Sequence, residues 1–227
     1  MTKEELQQKL IEISKLREQK GREDETLAEV EKLKQMVGDN FVEQARLYWE
    51  EGLTYQHLVM SHVDEEINRE KMAQAAMKAH EVVEKNKLDN LLGDDYRFLG
   101  RVADYNGKYE EAKNWYEKAI EFYKGQPREL EIKSFLSATL IYLGKNEEGI
   151  SLAKSTFDEF LTNPLREKDY YTWAVWVTGI WPRMVKAMKE KGVEIDKSEV
   201  LAYLDQSDKF LFRYRIDEIE EARKLLN

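Results

Sequence analysis

The chain reads as an all-α protein built of antiparallel helical hairpins, and three observations say so. Helix breakers are scarce, with 3 Pro and 11 Gly in 227 residues, while 36% of the chain is charged, mostly Glu and Lys, residues that lose little freedom in a helix. Apolar residues recur at helical spacing almost throughout, and the short β-branched runs sit inside that period, so no strand is required. A stretch from Tyr96 to Pro127 is also echoed, in register, 37 residues later. With 42% hydrophobic and 11% aromatic residues the chain can build an ample core.

The elements follow in order. Thr2 and Glu5 form a capping box ahead of Leu6, Leu10 and Ile13, and Gly21 offers a left-handed stop. After Asp24, Leu27, Val30, Leu33 and Val37 repeat the stripe until Gly38. Residues 1–38 are thus a hairpin with a polar outer face, suited to capping one end of a stack. Asn40 and Glu43 open a long helix marked by Phe41, Ala45, Tyr48, Trp49, Gly52, Tyr55 and Val59, expected to run on towards Val63. Its partner is expected from about Arg69 to Lys85, where Met72, Ala75, Ala76, Ala79 and Val83 include small residues that allow close approach. Residues 40–86 make an elongated hairpin.

The clearest unit comes next. Tyr96, Leu99, Gly100 and Ala103 mark its first helix; Gly107 supplies the positive φ of the turn; Ala112, Tyr116 and Ala119 mark its second. Gly100 and Ala112 fall where the paired helices touch, with Leu99 and Tyr116 filling the space beside the contact. In the copy, Leu136 answers Leu99, Ser137 answers Gly100, Gly144 answers Gly107 and Gly149 answers Ala112. The copy departs at Asn146, Ala153 and Thr156, where the first unit has Tyr109, Tyr116 and Ala119.

This pattern resembles the tetratricopeptide repeat. The resemblance is specific over residues 93–161 and architectural elsewhere. The offset exceeds the roughly 34-residue repeat of that family, which a longer linker from Gly125 to Glu129 would explain. The resemblance implies an α-α superhelix in one domain spanning 1–227, acting as a non-enzymatic scaffold that holds a protein or peptide partner in a concave groove. It places the first helix of each hairpin along that groove. The implied groove residues are Asp94, Arg97, Arg101, Asp104 and Tyr105 in the clear unit, and Glu131, Ser134, Ala138, Ile141 and Tyr142 in the copy.

Arg97 and Arg101, one turn apart, repel by roughly 0.2 to 0.5 kcal/mol. They read either as a bidentate clamp for a partner carboxylate or phosphate, or, with Asp94 and Asp104 at i−3 and i+3, as a ladder that neutralises itself on a solvated face. Ser134 and Ala138 stand where the copy would need matching basic or amide groups, which argues against a chaperone carboxylate as the ligand.

Asn163-Pro164 ends the copy. In residues 165–227, Tyr170, Tyr171, Trp173, Trp176 and Trp181 offer large contact area for a docking peptide, but Trp173, Trp176 and Ile180 share one helical face, and that spacing favours core. Pro182 either starts a helix or kinks one. Asp196 and Glu199 open a final helical stretch that Ser207-Asp208 divides. Phe210, Leu211, Phe212 and Tyr214 cover more than one helix face, so burying them requires the preceding hairpin or a second copy of the chain; a self-assembling module is the alternative function.

Other chemistries find little support. The net charge of −9 opposes non-specific nucleic-acid binding. No Cys is present, which removes disulfides, thiolate ligands and a Cys nucleophile and fits a cytoplasmic protein. No apolar run reaches membrane-spanning length. His62, Glu66 and His80 are the best metal constellation, and His57 lies about 140° around the helix from His62 at roughly 100° per residue. Neither H-E-x-x-H nor a phosphate loop nor a dinucleotide fingerprint occurs, so no cofactor, metal or catalytic residue is expected.

Overall fold

Residues 3–194, 196–210 and 216–227 are described by the structure, a computed structural model. Among them are thirteen α-helices and one 310 turn, and no strand. The sequence reads as one domain; the backbone contacts divide it into two compact units, Met1–Asn106 and Gly107–Asn227, parting at the turn of the clearest repeat.

Unit 1 contains α1 (Lys3–Arg17), α2 (Glu23–Lys34), α3 (Phe41–Met60), α4 (Glu65–Lys85), a 310 turn (Asp89–Leu91) and α5 (Leu92–Tyr105). Asn40 caps α3 by accepting from the Glu43 N–H, as its sequence position predicts. Thr2 lies outside the described residues. The boundary between α3 and α4 differs from expectation. Helix α3 stops at Met60 because His62 turns left-handed at φ 57° and lets the Val63 N–H donate back to the Leu58 carbonyl, a Schellman closure made without glycine. Helix α4 then begins at Glu65, four residues before Arg69.

Side-chain pairs show how these helices run. Gln7 meets Glu43, Ser14 meets Glu50 and Glu18 meets His57, so α1 and α3 advance in the same direction. A Cβ on Gly52 would strike Phe98, and Gln56 bonds both Arg101 and Tyr105, so α3 and α5 do likewise. Helices α2 and α4 return antiparallel between them, packing on α3 from either side. Within unit 1 the hairpins are therefore stacked with their first helices side by side. Leu6, Leu10 and Ile13 of α1 close a core with Val30, Leu33, Val37 and Leu47, the stripe the sequence predicts.

Unit 2 contains α6 (Tyr109–Phe122), α7 (Pro127–Tyr142), α8 (Asn146–Leu161), α9 (Leu165–Lys168), α10 (Tyr170–Thr178), α11 (Ile180–Glu190), α12 (Lys197–Asp208) and α13 (Ile216–Leu226). Pro127 is the first residue of α7 rather than part of a linker, a place where its missing N–H is harmless. Gly144 turns left-handed at φ 77°, and a Cβ on Gly149 would lie 2.7 Å from the Ser137 carbonyl oxygen. The small-on-small crossing read from the copy is thus real. Pro182 sits in the first turn of α11, so it starts a helix. Asp196 caps α12 by accepting from Ser198 and Glu199, and α12 ends at Asp208.

Helices α7, α8 and α10 to α13 enclose the largest core, where Trp173, Trp181, Phe157 and Phe160 are fully buried. Trp173 donates its indole N–H to the Phe160 carbonyl at 2.7 Å, which satisfies the polar end of a wholly interior ring. Tyr170 stays exposed, and Tyr171 and Trp176 are half-buried, so the aromatic cluster is mainly core.

Candidate partner-binding surface

Asp94, Arg97, Arg101, Asp104 and Tyr105 all lie on α5, but the arginines do not stand on a solvated face. Arg97 is 8% and Arg101 9% exposed. Arg97 Nε is 3.6 Å from Asp94 Oδ1, and Arg101 donates to Gln56 Oε1 at 3.4 Å. Gln56 in turn donates to the Tyr105 hydroxyl at 3.2 Å, while Asp104 and Tyr105 are half-buried. The two readings of the pair, an open clamp or a solvated self-neutralising ladder, both assume exposure that α5 does not give them. The parallel run of α3 beside α5 contributes to this: it places Gln56 against the Arg101 guanidinium.

The copy residues are corrected more strongly. Ser134 and Ile141 have no exposure, Glu131 has 2% and Ala138 5%. Helix α11 lies along α7: Arg183 donates to Ser134 Oγ at 2.9 Å and stacks over the Phe135 ring at 4.0 Å. Ala138 and Ile141 belong to the core shared with α10 and α11. Tyr142 is half-buried, stacked on Tyr109 at 4.3 Å and donating to Glu190 Oε2 at 2.7 Å. Small residues on α7 let α11 approach, so the face read as groove is a packing face.

What the sequence reading passed over is a polar row between α1 and α3. Gln7 donates to Glu43 Oε1 at 3.0 Å, and Arg46 reaches the same oxygen at 3.0 Å. Seven residues on, Ser14 donates to Glu50 at 2.9 Å, and Arg17 bridges Glu50 and Glu18. His57 Nε2 is 3.6 Å from Glu18. Burial works against the Arg17 charge, yet the neighbouring Glu50 and Glu18 carboxylates outweigh it and raise its pKa. The signal was in the sequence as Gln7 and Ser14 on one helix and Glu43, Glu50 and His57 on the other, each at seven-residue intervals.

His62 is exposed and bonds Glu65 at 2.7 Å, not Glu66, while His80 bonds Asp95 of α5 at 2.6 Å. His62, Glu66 and His80 are not brought together, and no group of three or more metal-ligating side chains converges among the described residues. Asp95 is 1% exposed; burial raises its carboxyl pKa, opposed by the His80 bond and charge. Phe210 is buried at 8%, edge-on to Trp173, whereas Leu211, Phe212 and Tyr214 lie outside the described residues. No helix among the described residues is long and apolar enough to cross a membrane.

No family model, curated protein or solved structure matches the chain.

Proposed function

We propose that the chain is a non-enzymatic, cytoplasmic helical-repeat scaffold of tetratricopeptide type, which binds a protein or peptide partner. The observation that carries this reading is the row of parallel first helices in unit 1, where cross-helix bonds hold α1 against α3 and α3 against α5 in fixed register. Helices held in register in this way lose little freedom on association, so the partner segment bears most of the ordering cost. The Gly149 crossing and the left-handed glycines of the two turns, Gly107 and Gly144, agree with the repeat reading.

Because Arg97 and Arg101 are interior, reversing their charge would confuse unfolding with lost binding. Asp104, half-buried at the end of α5, is the better probe. Affinity capture from native lysate is expected to recover one partner in stoichiometric amount with the native chain, and less with Asp104→Lys at unchanged helicity. Recovery that Asp104→Lys leaves untouched removes α5 from the binding surface. A concentration-dependent mass by light scattering, with no partner retained, replaces the scaffold with a self-assembling module.

A further inference from the structure

On the other side of α3, between α2 and α4, a second periodic feature is left over. Phe41, Tyr48 and Tyr55 recur at seven-residue steps on α3, Phe41 exposed and both tyrosines half-buried. Opposite them, Lys71, Lys78 and Lys85 recur at the same step on the antiparallel α4, and all three are exposed. Lys71 stands 5.4 Å from the centre of the Tyr55 ring and Lys78 5.8 Å from that of Tyr48. Seven residues back along α3 and forward along α4, the same register sets Lys85 opposite Phe41. Two periodic rows therefore run together for about 21 Å, in steps of about 10.5 Å.

The two edges of the strip differ in charge. On the α2 side, Lys34 lies over the Tyr48 ring at 4.6 Å but is outnumbered by Glu51 at 2.6 Å and Glu31 at 4.0 Å, so that edge is the negative one and an acidic helix must seat its carboxylates on the α4 side. On the α4 side, Lys71, Lys78 and Lys85 form no ion pair with any carboxylate among the described residues, although Glu70, Glu81 and Glu84 are close in sequence. An ordered row of three lysines outside any ion pair is unexpected in a chain of net charge −9.

We infer that this strip docks an acidic amphipathic helix, with carboxylates at seven-residue intervals meeting Lys71, Lys78 and Lys85 and apolar side chains resting on Phe41, Tyr48 and Tyr55. The step of about 10.5 Å is that of every seventh residue on another α-helix, and four to five turns fill the strip in the helix-in-groove manner. A nucleic acid fits worse: its continuous phosphate charge meets the repulsion of the whole acidic protein, whereas an amphipathic helix brings its acids only to the lysines. This inference rests on the partner-binding reading and names a different surface from α5.

The test uses the full chain and a fluorescein-labelled synthetic 18-residue helix carrying three Glu at seven-residue intervals with Leu one turn from each. A Lys-for-Glu version and an oligoadenylate are compared. Anisotropy is expected to show salt-sensitive binding of the acidic peptide, weakened at least tenfold by Lys71→Glu/Lys78→Glu/Lys85→Glu, with the Lys peptide now preferred by that variant. The three lysines are exposed, so circular dichroism and melting should match the native chain. Equal binding of the two peptides, no binding of either, or a triple variant that binds as before overturns the proposal. Oligoadenylate binding that the triple variant abolishes also overturns it, in favour of nucleic acid. If lysate capture succeeds and responds to Asp104→Lys while the acidic peptide fails, the scaffold reading survives and the α4 strip alone falls.

Discussion

Gly149→Ala tests the contact on which the repeat reading of unit 2 depends. An ideal Cβ at this position would sit 2.7 Å from the Ser137 carbonyl oxygen and 3.0 Å from Ile141 Cδ1. An ordinary carbon–oxygen approach is about 3.3 Å or more, so α8 must retreat by about 0.6 Å along a face that also seats Ala153 and Phe157. Overpacking of this kind costs about 1 to 3 kcal/mol, and replacing Gly by Ala inside a helix returns about 1. The net expectation is a loss of about 0 to 2 kcal/mol, read as a lower urea midpoint at unchanged m-value. Ile141→Val should not rescue it, since the limiting atom belongs to backbone. Gly52 provides the contrast. There the obstruction is the Phe98 ring, 2.3 Å from the added carbon, so Gly52→Ala combined with Phe98→Leu should lose less than the sum of the single changes, by about 1 kcal/mol. A Gly149→Ala protein stabilised by the full propensity gain would refute the close crossing.

Three further outcomes follow from single sites. Burial raises the Asp95 carboxyl, so its favourable contribution is complete below the unfolded carboxyl range near 3.9 and is lost as pH rises through the raised value; urea titrations from pH 4 to 7 should therefore show Asp95→Asn gaining on the native chain as pH increases, and a pH-independent gap would contradict the buried charge. Lys87 closes α4 at φ 52°, with the Leu88 N–H donating to the Val83 carbonyl, and Lys87→Gly should raise stability by about 0.5 to 1 kcal/mol by removing left-handed strain; an unchanged or lower midpoint would count against that strain. Trp173→Phe strips the donor from the Phe160 carbonyl and opens a void in the largest core, for an expected loss of about 2 to 4 kcal/mol by denaturant titration, and a loss below about 1 would mean that the bond is not made in solution.

The helices were legible because local signals and packing agree. Asn40 and Asp196 each cap where they stand, and Leu6, Leu10, Ile13, Val30 and Leu33 each face inward at the predicted period. The end of α3 was not legible, because His62 occupies a left-handed position that sequence reading reserves for glycine. The surface was harder for a different reason. Family resemblance assigns a residue to a groove by its place in one hairpin, but whether that place stays open depends on the neighbouring hairpin. Ser134, Ala138 and Ile141 carry nothing in their own sequence that announces Arg183 and the rest of α11 lying across them.

The same distinction explains why the polar rows on the two sides of α3 have different meanings. Between α1 and α3, the carboxylates Glu43, Glu50 and Glu18 are answered within unit 1 by Gln7, Arg46, Ser14 and Arg17. Removing Arg17 would take the arginine charge away from two carboxylates of low exposure, which is why such a row specifies the register of α1 on α3. The lysines of α4 have no such answer. Charges that a fold has already paired fix its own geometry, while an ordered row left without counter-charges keeps its electrostatic attraction for a partner, and on α4 that row stands in step with an aromatic floor.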